Sequence, residues 1–308
     1  MGLSNYAQGL SSFGIPILGS GTLPVTTGKY FFVHSGTGAN GASYKNSPTK
    51  PFATIDYAIG KCTDSKGDVI VVMPGHAETV VATTAPLLPD VIGITIVGLG
   101  SGHMRPIITM SDADYSIDIT AANVTFKNLV FTSGVAELVT VFTITGKDAT
   151  IENCEYYESN ATYTFLSFVT TVATGDRLTV KNCKINGTTA SAAAHGTITL
   201  VGSDDSYIVG NNIDVLPYNN SASFGIGGLT TASLRLTVVG NTVKAIGTNV
   251  IPISIYAATT GILCDNRVAS TKSTAAGTIA PANMHCMENY MTHAVGTSAI
   301  LDPVVDAS

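Results

Sequence analysis

The chain has 308 residues, 45% apolar and only 12% charged, with mean hydropathy +0.32 and a net charge of −6. Soluble domains run near 25% charged, so this chain is either embedded in a membrane or covered by neighbours over much of its surface. No apolar run approaches the roughly 18 residues of a spanning helix, which excludes the first, and the negative balance argues against a nucleic-acid partner.

Residues 1–28 carry no charged side chain. Tyr6, Leu10, Phe13, Ile15, Ile17, Leu18 and Leu23 are scattered through them, and Pro16 and Pro24 oppose a long helix. Such a segment cannot fold alone, yet it is too apolar for a solvated tail. It is expected to be an extended arm that docks on another protein, or that packs along its own domain or an oligomer mate. The start has neither a basic n-region nor an apolar h-region, so no secretory leader is expected. Met1-Gly2 opens like a myristoylation site, but Tyr6 stands where Ser or Thr is required.

Tyr30-Phe31-Phe32-Val33 reads as a strand. A helix is expected at about 51–62, because Phe52, Ile55, Ala58, Ile59 and Cys62 share one helical face. Lys66-Gly67-Asp68 then turns into a buried strand, Val69-Ile70-Val71-Val72, and Pro74-Gly75 turns again before His76. Ile94-Thr95-Ile96-Val97 is the next strong strand.

The stretch from Pro51 through Cys62, then Lys66 to Val80, then Ile94 to Gly102 resembles the opening of pectin-lyase-like right-handed β-helix proteins. The resemblance covers about residues 48–290. It implies that the amphipathic helix caps the open end of the core and that a Gly-Asp turn feeds the first coil. It implies no single activity, since this fold hosts lyases, hydrolases, esterases, spikes and purely structural proteins. The arm with a short β-helix behind it also looks like proteins of tailed-phage virions.

From Ala122 to Asn289 a short phrase recurs, with Asn at 128, 153, 182, 211, 241 and 266. The steps between them are 25, 29, 29, 30 and 25 residues. A period of this size marks a repeat architecture. Each copy sits in alternating apolar residues, such as Val124, Phe126 and Val130, with no helical segment between copies. One coil cannot bury its own apolar face, so stacked coils of a single-stranded parallel β-helix follow, in an all-β chain. The six Asn are expected to form one structural column at a corner, because Asn tolerates the left-handed region and can hydrogen-bond to the coil above. The copy at Cys286-Met287-Glu288-Asn289 is degraded, and residues 291–308 lose the pattern. They are expected to pack on neighbours or stay mobile.

The five Cys, at 62, 154, 183, 264 and 286, are odd in number and include no CxxC. They read as free thiols of a reducing compartment. Cys154 and Cys183 hold equivalent places and are expected to be buried, stacked and unbridged.

Catalytic chemistry is harder to place. Asp204-Asp205 sits in Gly202-Ser203-Asp204-Asp205-Ser206, which reads as a turn. Asp112, Asp114 and Asp118 fall between strands. Arg105, Arg177, Arg235 and Arg267 lie with no acidic group at a matching repeat position. His34, His76, His103, His195, His285 and His293 lack metal spacing. The absence of Trp counts mildly against a sugar groove.

The sequence therefore leads to a β-helix domain at 29–290, an arm at 1–28 and an extension at 291–308. Its expected role is non-enzymatic, with no catalytic residue, metal or cofactor. The expected setting is a virion, made in the host cytoplasm. There the protein would decorate or project from a phage capsid as a trimer, and bind the major capsid protein or another virion protein through the arm. The rival reading is a polysaccharide-binding or polysaccharide-cleaving spike of the same fold.

Overall fold

The computed structural model describes residues 11–12, 15–16, 23–41, 46–187, 196–215, 223–228, 230–245, 250–271, 279–295 and 298–304. They form a nearly all-β parallel solenoid with three sheets of ten, ten and seven strands. Sheet I starts at Tyr30–Val33 and ends at Asn283–Met287. Sheet II starts at Ala77–Val80 and includes Ile107–Met110, Val130–Ser133, Glu155–Tyr157, Lys184–Gly187, Asn212–Val215, Thr242–Ala245 and Arg267–Ser270. Sheet III runs from Ile117–Ile119 to Ile279–Ala280.

The register explains the alternation. In sheet I, Ile70, Ile96, Phe126, Ile151, Val180, Ile208, Val238 and Leu263 stack directly on one another, one per coil. All eight are fully buried. Their strand neighbours face outward, as a period of two requires. One stretch of the core is aromatic. Phe142 meets Phe126 and Phe131 edge-on at 5.1 and 4.9 Å between ring centres, and Tyr156 packs on Phe165 at 4.2 Å. Truncating one such ring to Ala costs about 3–5 kcal/mol.

The helix is shorter than expected, Ile55–Ile59, with Ile55, Ala58 and Ile59 in the core. Thr54 caps it by accepting from the Tyr57 N–H at 3.3 Å, and Glu78 accepts from the Ile55 N–H at 3.0 Å. Two of the four orphan donors of the first turn are thereby satisfied. The expected Gly-Asp turn is held by Asp68. Its carboxylate is buried and accepts from the N–H groups of Lys29 and Thr63 at 2.7 and 2.8 Å.

The chain end differs from expectation. Ser298–Val304 pairs antiparallel with Asn289–Val295 and adds a strand to sheet II. Pro303, which cannot donate to a ladder, is accommodated there because the strand is at the sheet edge.

Of the expected arm, Tyr6, Leu10, Phe13, Ile17 and Leu18 have no described position. Ile15 belongs to a two-residue strand, Ile15–Pro16, antiparallel to Ser11–Ser12. Leu23 packs against Val69, Val71 and Val97 on the outer face of sheet I. Thr26 Oγ1 donates to the Gly67 carbonyl at 2.5 Å, and the Tyr30 hydroxyl donates to the Pro24 carbonyl at 2.9 Å. Residues from Leu23 onward are thus tied to the solenoid itself.

Candidate functional site

The corner between sheets I and II is a tight turn, and the six Asn all lie on it in two adjacent columns. Asn128, Asn153 and Asn182 adopt φ of 56, 52 and 54°, so they are the left-handed residues of their turns. Lys181 pairs with Val209 and Lys184 with Asn212, which sets Gly210, not Asn211, above Asn182. Gly210 and Gly240, both at φ 67°, take over the left-handed role. Asn211, Asn241 and Asn266 instead continue the column of Cys154 and Cys183 and are buried. Counting from Asn to Asn conceals this one-residue step.

The other corner residues are ion-paired. Arg177 grips Asp148 through two bonds of 2.6 and 2.7 Å, and Arg235 grips Asp205, with Nη2 at 2.7 Å. Contrary to the expectation that no acid stands at a matching repeat position, the solenoid places Arg177 over Asp148 and Arg235 over Asp205 of the preceding turn. Asp205 has φ 54° and lies in the expected turn. Hydrogen bonds from Arg177 and Arg235 hold the Asp148 and Asp205 carboxyls below the ordinary range. Groups so held are poor proton donors. Asp112 accepts from the Asp114 N–H, and Asp118 from the Ser116 hydroxyl.

Among the histidines, His76 is buried. Its Nδ1 accepts from the Ser35 N–H at 3.0 Å, so Nε2 carries the hydrogen given to Glu78, also at 3.0 Å. It joins the first coil to the helix cap and is closed to ligands. His195 is not among the described residues, and the side chain of His293 is not described. No three His, Cys, Asp or Glu side chains gather in metal-binding geometry among the described residues.

The outer face of sheet II is different. Its outward residues fall into two straight columns. One runs Ile107, Val130, Glu155, Lys184, Asn212, Thr242, Arg267, Tyr290. The other runs Thr109, Thr132, Tyr157, Asn186, Asp214, Lys244, Ala269, Thr292 over the same strands. At about 4.8 Å between strands, the seven steps from Ile107 to Tyr290 span about 34 Å.

Three depressions follow this face. The first, about 480 Å³, is lined by His103, Arg105, Glu155 and Tyr157 among others. The second, about 110 Å³, lies among Lys184, Asn186, Asn212 and Asp214. The third, about 540 Å³, is lined by Thr242, Lys244, Arg267, Tyr290 and Thr292 among others. Arg105 anchors the first. It donates to Glu155 at 3.0 Å and to the carbonyls of Leu129 and Asn153 at 3.1 and 2.7 Å. Lys184 approaches the other Glu155 oxygen at 3.1 Å, and Lys244 approaches Asp214 at 3.2 Å. The sequence reading singled out only His103, Arg105 and Arg267 here. The missed residues stand two and four places after each turn, a signal visible only once the coils are aligned.

No family model matches the chain, and no curated protein matches it. Two solved structures are similar to it. One is a rhamnogalacturonan lyase, 13% identical, at a TM-score of 0.43 over 91% of this chain and 66% of that one. The other is the GH136 lacto-N-biosidase of Eubacterium ramulus, 10% identical, at 0.40 over 85% of this chain and 67% of that one. The chain thus spans about two thirds of either length. Both neighbours are enzymes by name, contrary to the non-enzymatic expectation, and neither is named as a virion protein. At such identities no residue role or substrate passes from them to this chain.

Proposed function

We propose that the protein engages an extended polysaccharide along the outer face of sheet II, as a polysaccharide-binding or polysaccharide-cleaving β-solenoid. The supporting observation is the line of three depressions on two straight columns of outward side chains. From Glu155 and Tyr157 onward, past the buried Val130 and Thr132, a polymer lying across the strands meets one residue of each column per coil, so an extended repeating chain suits the face better than a compact ligand does.

Cleavage on this face would differ from a two-carboxylate hydrolase. Such enzymes set their acids about 5–9.5 Å apart. Glu155 and Asp214 stand two strands apart and on different columns, which puts them about 12 Å apart from sheet spacing alone. The groups able to move a proton are His103 and Tyr157, beside Arg105 and Lys184 in and around the first depression.

The test is a panel of neutral and acidic polysaccharides, followed by titration calorimetry for binding and by assays for new reducing ends and for unsaturated ends. Binding that Tyr157→Ala and Asn186→Trp both weaken supports the reading. If no glycan binds, or if binding is indifferent to both substitutions, this face is not the site.

A further inference from the structure

We infer that the third depression, at Arg267 and Tyr290, is a subsite for an acidic group of the bound glycan. This inference rests on the reading of sheet II given above. Along the face, the cations Arg105, Lys184 and Lys244 already have carboxylate partners, Glu155 for the first two and Asp214 for the third. Arg267 has none among the described residues, although it stands on the same columns, between Thr242 and Tyr290. It is exposed.

The depression has a local cause. Ala269 lies between Lys244 and Thr292 on the second column, so small side chains form its floor. Lys244, Arg267 and the ring of Tyr290 rise around them, with Tyr290 44% exposed. A guanidinium with no carboxylate partner among the described residues offers a fork of donors matched to a carboxylate or sulfate ester. The neighbouring tyrosine ring supplies an apolar surface with a polar tip for a sugar. Lys244 borders the depression but is held by Asp214 at 3.2 Å, so Arg267 is the cation left to take a ligand there. The chain as a whole carries a net charge of −6, so an exposed guanidinium with no carboxylate partner among the described residues runs against its average and suits an anion.

The experiment compares a polyuronate oligosaccharide, a sulfated oligosaccharide and a neutral oligosaccharide of equal length on the full chain, by calorimetry at low and high salt. The expected result is acidic binding at least tenfold tighter than neutral, weakened by salt. Arg267→Gln should remove most of that preference while Tm stays unchanged, and Arg267→Lys should restore part of it. The uronate and sulfate arms tell which anion is taken. Neutral binding equal to acidic, with Arg267→Gln indifferent, overturns this inference alone. Absence of all glycan binding overturns it together with the reading of the whole face.

Discussion

Asn211 and Asn241 are joined twice. Both the main-chain N–H and the side-chain amide of Asn211 donate to Oδ1 of Asn241, at 3.0 and 2.9 Å. Asn241 repeats the arrangement with Asn266, and Asn266 with Asn289. Each side chain also donates to a carbonyl of the preceding coil; for Asn241 this is Ile208, at 2.8 Å. The ladder is buried, so every broken bond strands a group away from water. Each stranded group costs about 1–3 kcal/mol.

Asn241→Ala is therefore expected to lower stability by about 2–5 kcal/mol, since it strands the Asn211 donors and the Ile208 carbonyl together. Asn241→Asp should be no better. It keeps the acceptor, but it cannot donate to Ile208 or Asn266 and it buries a charge. Chemical denaturation of the two variants checks this. A loss below about 0.5 kcal/mol for either would refute the ladder's role.

The Asp148–Arg177 and Asp176–Lys147 pairs, on the turns between sheets III and I, give a pH signature. Hydrogen bonds lower the carboxyls of Asp148 and Asp176, from Arg177 and Lys147 respectively, below the ordinary 3.8. A carboxylate depressed in the folded state stabilises above the unfolded value, and the stabilisation disappears as pH falls through the folded value. Stability should thus be flat on this account from pH 7 to about 5 and fall below about pH 4. The side chains are partly exposed, 45% for Arg177 and 34% for Asp148, so solvent screening keeps the contribution of each pair small. The gap in Tm between wild type and Arg177→Gln should close as pH drops below about 4. A gap that widens there would contradict the pairing.

The repeat, the parallel solenoid and the buried alternation were legible because they follow from a period near one coil and from apolar residues at every second place. The corner Asn were legible as turn residues. The shift from Asn182 to Gly210 was not, because Asn211 mimics the phrase and only pairing of Lys181 with Val209 reveals the step. The face of sheet II was illegible for a related reason. Glu155, Lys184, Asn212 and Arg267 are ordinary surface residues in one dimension and become a column only through coil-to-coil register.

The thiols should separate by reactivity. Burial pushes the Cys154 thiol up to about 12, and Cys183 is raised well above its usual value by burial with the neighbouring Cys154 thiol. The thiolate is the reactive form. Neither should react with an aromatic disulfide reagent at pH 8 in the folded protein. Cys264 is partly exposed between Val239 and Met287 on the outer face of sheet I. It should react first, though slowly, since partial burial, Asp265 and Glu288 raise it too. Mass spectrometry of the labelled peptides decides. Labelling of Cys154 before Cys264, without unfolding, would be incompatible with this packing.

Arg105 is expected to hold the first depression together as well as to face it. Its side chain is only 14% exposed. One guanidinium serves Glu155 and the carbonyls of Leu129 and Asn153. Lysine carries the charge but has one compact head in place of the planar fork, so it cannot reach all three. Arg105→Lys should therefore destabilise by about 1–3 kcal/mol, the cost of leaving partly buried acceptors unpaired. Glu155→Gln removes only the ionic partner. It leaves both carbonyls served, and it should cost less than about 1 kcal/mol. If glycan contact at this depression depends on the cation rather than on the scaffold, Glu155→Gln should leave binding intact or tighten it, because it frees Arg105 and Lys184 from their shared carboxylate. Parallel denaturation and calorimetry separate the two effects. Equal destabilisation by both variants would show that the Arg105–Glu155 bond, not the carbonyl pair, fixes the arginine. A loss of binding in Glu155→Gln without loss of stability would make Glu155 the contact and Arg105 its support.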